Sequence, residues 1–222
     1  GLEKLMHFQI GSVVYKAATT TSNFEQHVKA TKTNTCFPPE WLIQETKPHI
    51  SQIYKHLVCD QARNEMIVNS IKQAVNNERS VMVLTERKEH IELLAKMMTD
   101  KGIKVVELYG GISTKQRQER IALLSNKPEG DEALVILATG KYVGEGFDLP
   151  HLDTLYITLP IAWKGILAQY AGRIQREWSS KTVIQVYDFI DDFPTLQRMW
   201  KKREKGYKAL GYKFSEQKNL DL

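Results

Sequence analysis

The chain has 222 residues, enough for one large α/β domain or for a domain with an appendage. Hydrophobic residues make up 42% and charged residues 26%, an ordinary globular balance that excludes wholesale disorder, and no apolar run reaches the roughly 18 residues a membrane span needs. Lys and Arg total 31 against 26 Asp and Glu, and the resulting charge of +5 is too mild to imply a nucleic-acid partner by itself.

The first fifty residues differ from the rest. Gln9 to Lys16 reads as one short strand centred on Val13, Val14 and Tyr15. A polar stretch from Thr19 to Thr35 follows, then Pro38, Pro39 and Pro48, which together read as a linker or an edge piece of a preceding domain. Residues 1–15 lack the basic start and apolar core of a secretory signal. Cys36 and Cys59 form neither a CxxC pair nor a cluster with metal-ligand spacing, so reduced thiols in a cytoplasmic protein and no metal site are expected.

From residue 60 the pattern becomes regular. Met66, Ile67, Ile71, Ala74 and Val75 recur at helical spacing within 62–77. Ser80 to Thr85 is a short apolar run of the kind a buried parallel strand shows. A helix is expected over 87–100 with Gly102 ending it, a strand over 104–108, and a helix over 114–125 capped by Ser113 or Thr114. Strands follow at 133–138 and 154–159, a helix at 164–175, a strand at 182–189 and a basic helix from Pro194 to Lys205.

Alternation of this kind predicts an α/β fold with an open, mostly parallel sheet and helices on both faces. Ligands in such folds bind beyond the carboxyl ends of the strands, which directs attention to the loops after Thr85, Leu108, Ala138 and Leu159. In the tail, Leu196, Met199, Trp200 and Arg203 share a face that can pack on the domain while Lys201, Lys202 and Lys205 face water. Arg198 to Lys218 hold eight Lys and Arg against Glu204 and Glu216, either a solvated basic surface or one that faces phosphates.

No complete phosphate-binding loop is visible. Gly140 and Lys141 are nearest to a P-loop, but Val135 and Tyr142 stand where Gly and Ser or Thr are needed. Gly144 and Gly146 begin a dinucleotide fingerprint that Leu149 breaks. Asp131 and Glu132 read as a surface turn, and His90 and His151 stand alone, as structural or exposed histidines do.

Two segments remain. Ala138 to Pro150, ATGKYVGEGFDLP, follows a strand; its glycines permit a tight path beside a ligand, Thr139 can donate to a phosphate and Asp148 can accept from a ribose hydroxyl. A Gly-rich turn with Asp148 as a helix cap is the alternative. Gln169 to Arg176, QYAGRIQR, places Arg173 and Arg176 three apart on one helix face beside Gly172, an arrangement suited to phosphate oxygens or, alternatively, to surface ion pairs.

In their order, spacing and context these segments resemble motifs V and VI of superfamily 2 helicases. VMVLT (81–85) with Glu86 and Arg87 resembles motif IV, and LYGGISTKQR (108–117) the element between IV and V. GEGFDLP is closer to the restriction- and repair-like branches than to the DEAD-box form, which carries H-R-x-G-R-x-x-R where Gln169 and Tyr170 stand here. The resemblance implies a three-layer RecA-like (P-loop NTPase-like) second lobe over 55–190, with 1–54 an inter-lobe linker and edge of a preceding lobe and 191–222 a basic helical extension. It further implies ATP with Mg²⁺, the metal being held by a first RecA-like lobe that the sequence lacks, so that the isolated lobe is inactive. Arg173 and Arg176 are implied as arginine fingers, with Gln169 near the γ-phosphate and Gly146, Asp148 and Gly172 at the nucleotide. Thr85, Gly110, Thr139 and Gly140 are implied at a nucleic-acid backbone, with DNA favoured over RNA. The alternative is a non-catalytic, helicase-derived binding or scaffolding module.

Overall fold

Every strand pairing in the sheet is parallel. The computed structural model describes residues 24–43, 47–125, 134–140, 149–161 and 181–215, with Tyr170 and Ile174. In chain order the elements are β1 (Glu25–Lys32), a 3-10 turn (Pro39–Leu42), α1 (Ile50–Cys59), α2 (Gln61–Asn76), β2 (Val81–Thr85), α3 (Lys88–Thr99), β3 (Lys104–Leu108) and α4 (Thr114–Ser125). Then come β4 (Leu134–Thr139), β5 (Thr154–Ile157), β6 (Val183–Ile190), α5 (Pro194–Ala209) and β7 (Lys213–Ser215). The seven strands lie in the order β3-β4-β2-β5-β6-β1-β7.

Period-two alternation sorts the strands' side chains onto two faces. In β2, Met82 and Leu84 enter one core, shared with Leu108, Ile136, Ile157 and Val186, whereas Val81 and Val83 enter the other. That second core receives Ile67 and Ile71 of α2 and Ile91, Leu94 and Met98 of α3. Leu124 of α4 and Tyr207 of α5 pack into the first. Three layers result, helix on sheet on helix, as the alternating pattern predicts.

Local chemistry sets the helix ends. Asp60 accepts from the Arg63 amide at 3.0 Å to start α2. Ser113 accepts from the Gln116 amide at 3.2 Å while Gln116 accepts from the Ser113 amide at 3.1 Å, a reciprocal cap that starts α4. Gly102 takes φ of +78° after α3, as its expected role as a stop requires.

Two elements depart from the sequence reading. Residues 25–32, expected to lie in a linker, form β1 between β6 and β7. EQHVKATK buries only Val28 fully, so the strand rests on ladder hydrogen bonds and has no apolar run to announce it. Helix α1 also went unexpected, although Ile53, Leu57 and Val58 carry helical spacing and His49 forms a capping box with Gln52. Pro38, Pro39 and Pro48 precede it and give the region the look of a linker. The expected strand at Gln9–Lys16 lies outside the described residues, as does the helix at 164–175 apart from Tyr170 and Ile174.

Candidate functional site

A fully parallel sheet gathers all its strand ends on one edge. At the carboxyl edge sit Thr33 after β1, Glu86 and Arg87 after β2, Tyr109 and Gly110 after β3, Gly140 after β4, Thr158 to Ile161 after β5 and Asp191 after β6. Ligands of such folds bind beyond this edge, and in chain order the segment that ends in Leu149 and Pro150 comes after β4.

The loops of this edge are held from below by buried polar chemistry. Thr85 is fully buried, and its hydroxyl lies 2.9 Å from His90 Nδ1. His90 Nε2 lies 3.0 Å from Asn64 Oδ1, and Asn64 Nδ2 donates to the Val58 carbonyl at 2.8 Å. Because the Asn64 amide donates to a carbonyl, its oxygen faces the ring, so Nε2 carries the proton and Nδ1 accepts from Thr85. Burial, with the nearby Arg63 charge, pushes the His90 pKa down to about 3, so the ring is neutral. His90 is structural, as expected of it.

Next to this chain, Arg63 donates to Asp191 through Nε at 2.7 Å and Nη2 at 3.1 Å, and Thr33 donates to the same carboxylate at 2.6 Å. The strand ends of β1 and β6 are thereby clamped to α2. Tyr54 donates to the Pro160 carbonyl. Its phenol is pushed up to about 12, first by burial and then by the Glu86 charge, and Glu86 is itself raised by burial.

The expected site residues divide in two. Arg173, Arg176, Gln169, Gly146, Asp148 and Gly172 lie outside the described residues. Among the expected nucleic-acid contacts, Gly110 is exposed on the β3–α4 loop and Thr139 is half-buried at the end of β4. Gly140 is buried. Thr85 turns its hydroxyl inward to His90 and does not offer it to a strand on the surface.

Two described residues nevertheless join the motif segments. Tyr170 and Ile174 are 2% and 1% exposed and enter the core with Ala138, Leu149 and Leu152. The Ile174 amide donates to the Tyr170 carbonyl at 3.0 Å, the i to i−4 bond of an α-helix. Tyr170 Oη donates to the Gly140 carbonyl. Lys181 Nζ donates to the Pro150 carbonyl at 2.6 Å and to the Ile174 carbonyl at 3.0 Å. Tyr170 is thus tied to Gly140, and Ile174 through Lys181 to Pro150. Sequence reading missed Tyr54, Arg63, Asp188 and Asp191, because a buried pair of partners far apart in the chain leaves no local pattern.

The helicase conserved C-terminal domain family matches residues 62–178. The helicase-like protein 161L of Invertebrate iridescent virus 6 is 32% identical over 163 residues, covering 70% of this chain and 36% of that protein. A transcript termination protein of Variola virus is 26% identical over 125 residues, covering 55% of this chain and 24% of its own length. This chain therefore spans about a third or less of these relatives. Bacteriophage T4 UvsW superposes with a TM-score of 0.66 at 18% identity, over 88% of this chain and 41% of UvsW. Domain 2 of the DEAD-box helicase Mss116p, solved bound to an RNA duplex, does so at 0.55 with 13% identity, over 88% of this chain and 66% of that one. These likenesses establish the three-layer RecA-like fold.

Proposed function

The chain belongs to the helicase conserved C-terminal domain family and is a C-terminal superfamily 2 helicase lobe, and from this we propose that it is the second motor lobe of an ATP-dependent nucleic-acid helicase or translocase. One observation carries the reading. The family match over residues 62–178 encloses both Gly144–Pro150 and Gln169–Arg176, the segments whose residue types suit phosphate chemistry.

In this reading ATP with Mg²⁺ lies between this lobe and a first RecA-like lobe that carries the P-loop and holds the metal. Arg173 and Arg176 stabilise charge on the γ-phosphate, with Gln169 beside them, while Gly146, Asp148 and Gly172 meet the nucleotide. Gly110 and Thr139 contact the nucleic-acid backbone, while the buried Gly140 and Thr85 act from inside, Thr85 by holding the β2 end on His90. The bonds from Tyr170 and Lys181 support the reading, since they couple the arginine-bearing segment to the segment at the nucleotide. DNA is the proposed track, on the wording of GEGFDLP.

The test is Arg176→Ala in the full-length protein. Turnover should fall by about 10³–10⁵-fold with nucleotide binding retained. Unchanged turnover would reject the finger role and favour a scaffolding module. Competition between single-stranded DNA and RNA decides the track.

A further inference from the structure

Five cations of α5 face solvent: Arg198, Lys201, Lys202, Lys205 and Lys208. At about 100° per residue they fall within an arc of about 120°. The opposite side of the helix is the packed one, formed by Leu196, Arg203, Gly206 and Tyr207. The helix's single acid, Glu204, is engaged by Lys208 at 2.6 Å. Among the described residues, Lys201, Lys202 and Lys205 make no ion pair.

This is not how a merely solvated helix face is usually built. Such faces set Glu four residues before Lys, so that the charges support the helix. Here the residues four before Lys201, Lys202 and Lys205 are Gln197, Arg198 and Lys201. Arg198 repels Lys202 and Lys201 repels Lys205, a cost that an external polyanion relieves.

The stripe is also rigid and well placed. Arg203 and Tyr207, on the packed side, both donate to Asp188 of β6. Pro194 opens α5 directly after Asp191, Asp192 and Phe193, so the stripe starts at the carboxyl edge of the sheet and runs about 15 Å away from it at 1.5 Å per residue. That length spans about four phosphates of one strand of a duplex at 3.4 Å each. Helix α5 lies outside the residues matched by the family.

We infer that the outer face of α5 is a second phosphodiester-binding surface, gripping the nucleic-acid backbone beyond the track between the lobes. The choice of nucleic acid as the polyanion rests on the motor-lobe reading. Contact is with phosphates alone, so the grip is independent of sequence.

The experiment uses the full-length protein and the variant Lys201→Gln/Lys202→Gln/Lys205→Gln, whose changes are all exposed. Binding to a labelled oligonucleotide, single-stranded and duplex, is measured by fluorescence anisotropy across a salt series. The slope of log affinity against log salt should shrink by about 2 to 3, and affinity at about 0.1 M salt should fall at least about tenfold. Turnover at saturating oligonucleotide should match the parent, whereas Arg176→Ala should keep the parent's slope and lose turnover. An unchanged slope and affinity in the triple variant overturn the inference, even where turnover proves the motor. Lost capture on phosphatidylserine vesicles with nucleic-acid binding unchanged overturns it in favour of a lipid surface. A reduced slope without any ATP turnover in the parent sustains this surface and rejects the motor reading alone.

Discussion

Arg203 meets Asp188 through two side-by-side hydrogen bonds, Nε to Oδ2 at 2.7 Å and Nη2 to Oδ1 at 2.9 Å, with both side chains almost wholly buried. Tyr207 adds a third donor to the same carboxylate at 3.0 Å, and Arg203 Nη1 reaches the Ile161 carbonyl at 3.2 Å. The pair therefore fixes α5 to β6 and to the strand-end loop after β5. Removing one partner strands the other charge in the core. Arg203→Ala should cost about 3–5 kcal/mol in urea unfolding. The double change Arg203→Met/Asp188→Leu should recover part of that loss, since an apolar pair of similar volume avoids the desolvation penalty but takes a partner from the Tyr207 hydroxyl and the Ile161 carbonyl. A double variant no more stable than Arg203→Ala would show that the pair itself, and not the stranded carboxylate, supports the fold.

The neutral His90 makes stability depend on pH with a definite sign. Its pKa falls from 6.5 to about 3 on folding, so between these values the unfolded chain binds a proton that the folded chain refuses. The stabilisation is complete above about pH 6.5 and drains away as pH falls toward 3. Gln at this position can still accept from Thr85 and donate to Asn64 but does not titrate. Between pH 7 and pH 5 the parent should therefore lose about 2 kcal/mol more than His90→Gln. Parallel pH profiles for the two proteins would mean that the ring is not held neutral.

The fold was largely legible because buried parallel strands announce themselves. VMVLT and LVILAT are apolar up to a terminal threonine, and their helices carry period-3.6 patterns. What escaped was held by ladder bonds or by distant partners. β1 has one fully buried residue, and its ladders go to two strands more than 150 positions away. β7 is three residues long and pairs only because Tyr212 and Gly211 turn the chain back after α5. The motif segments stand out in the sequence by glycines and arginines at fixed spacing. The buried polar network beneath the strand ends, with Arg63, His90 and Asp191, was not legible, since a polar residue destined for the core looks like a surface residue until its partner is known.

Gly102 offers a test of backbone cost without packing. Its φ of +78° is unfavourable for any residue with a Cβ, and an added Cβ would meet nothing within 4 Å. Gly102→Ala should therefore destabilise by about 1 kcal/mol, from conformation alone. A loss of several times that in thermal unfolding would show that the α3–β3 turn is packed more tightly than its geometry indicates.

The two bonds that join the motif segments can be cut separately. Tyr170→Phe removes a phenol and leaves the buried Gly140 carbonyl without its donor, while the ring keeps its place beside Ala138 and Leu149. An unsatisfied buried carbonyl costs about 1–3 kcal/mol, so the variant should unfold at lower urea by that amount. Lys181→Met removes the bridge from Pro150 to Ile174 but lies on a half-exposed side chain, so its effect on global stability should be smaller. Local effects should run the other way, because Lys181 donates both to Pro150, at the end of GEGFDLP, and to Ile174 in the arginine-bearing segment. In hydrogen exchange, amides of residues 169–176 should open faster in Lys181→Met than in the parent, with β2 and β4 unchanged. If Tyr170→Phe loses stability and Lys181→Met leaves exchange at 169–176 unaltered, the two segments are coupled through the core alone and the lysine bridge has no positioning role.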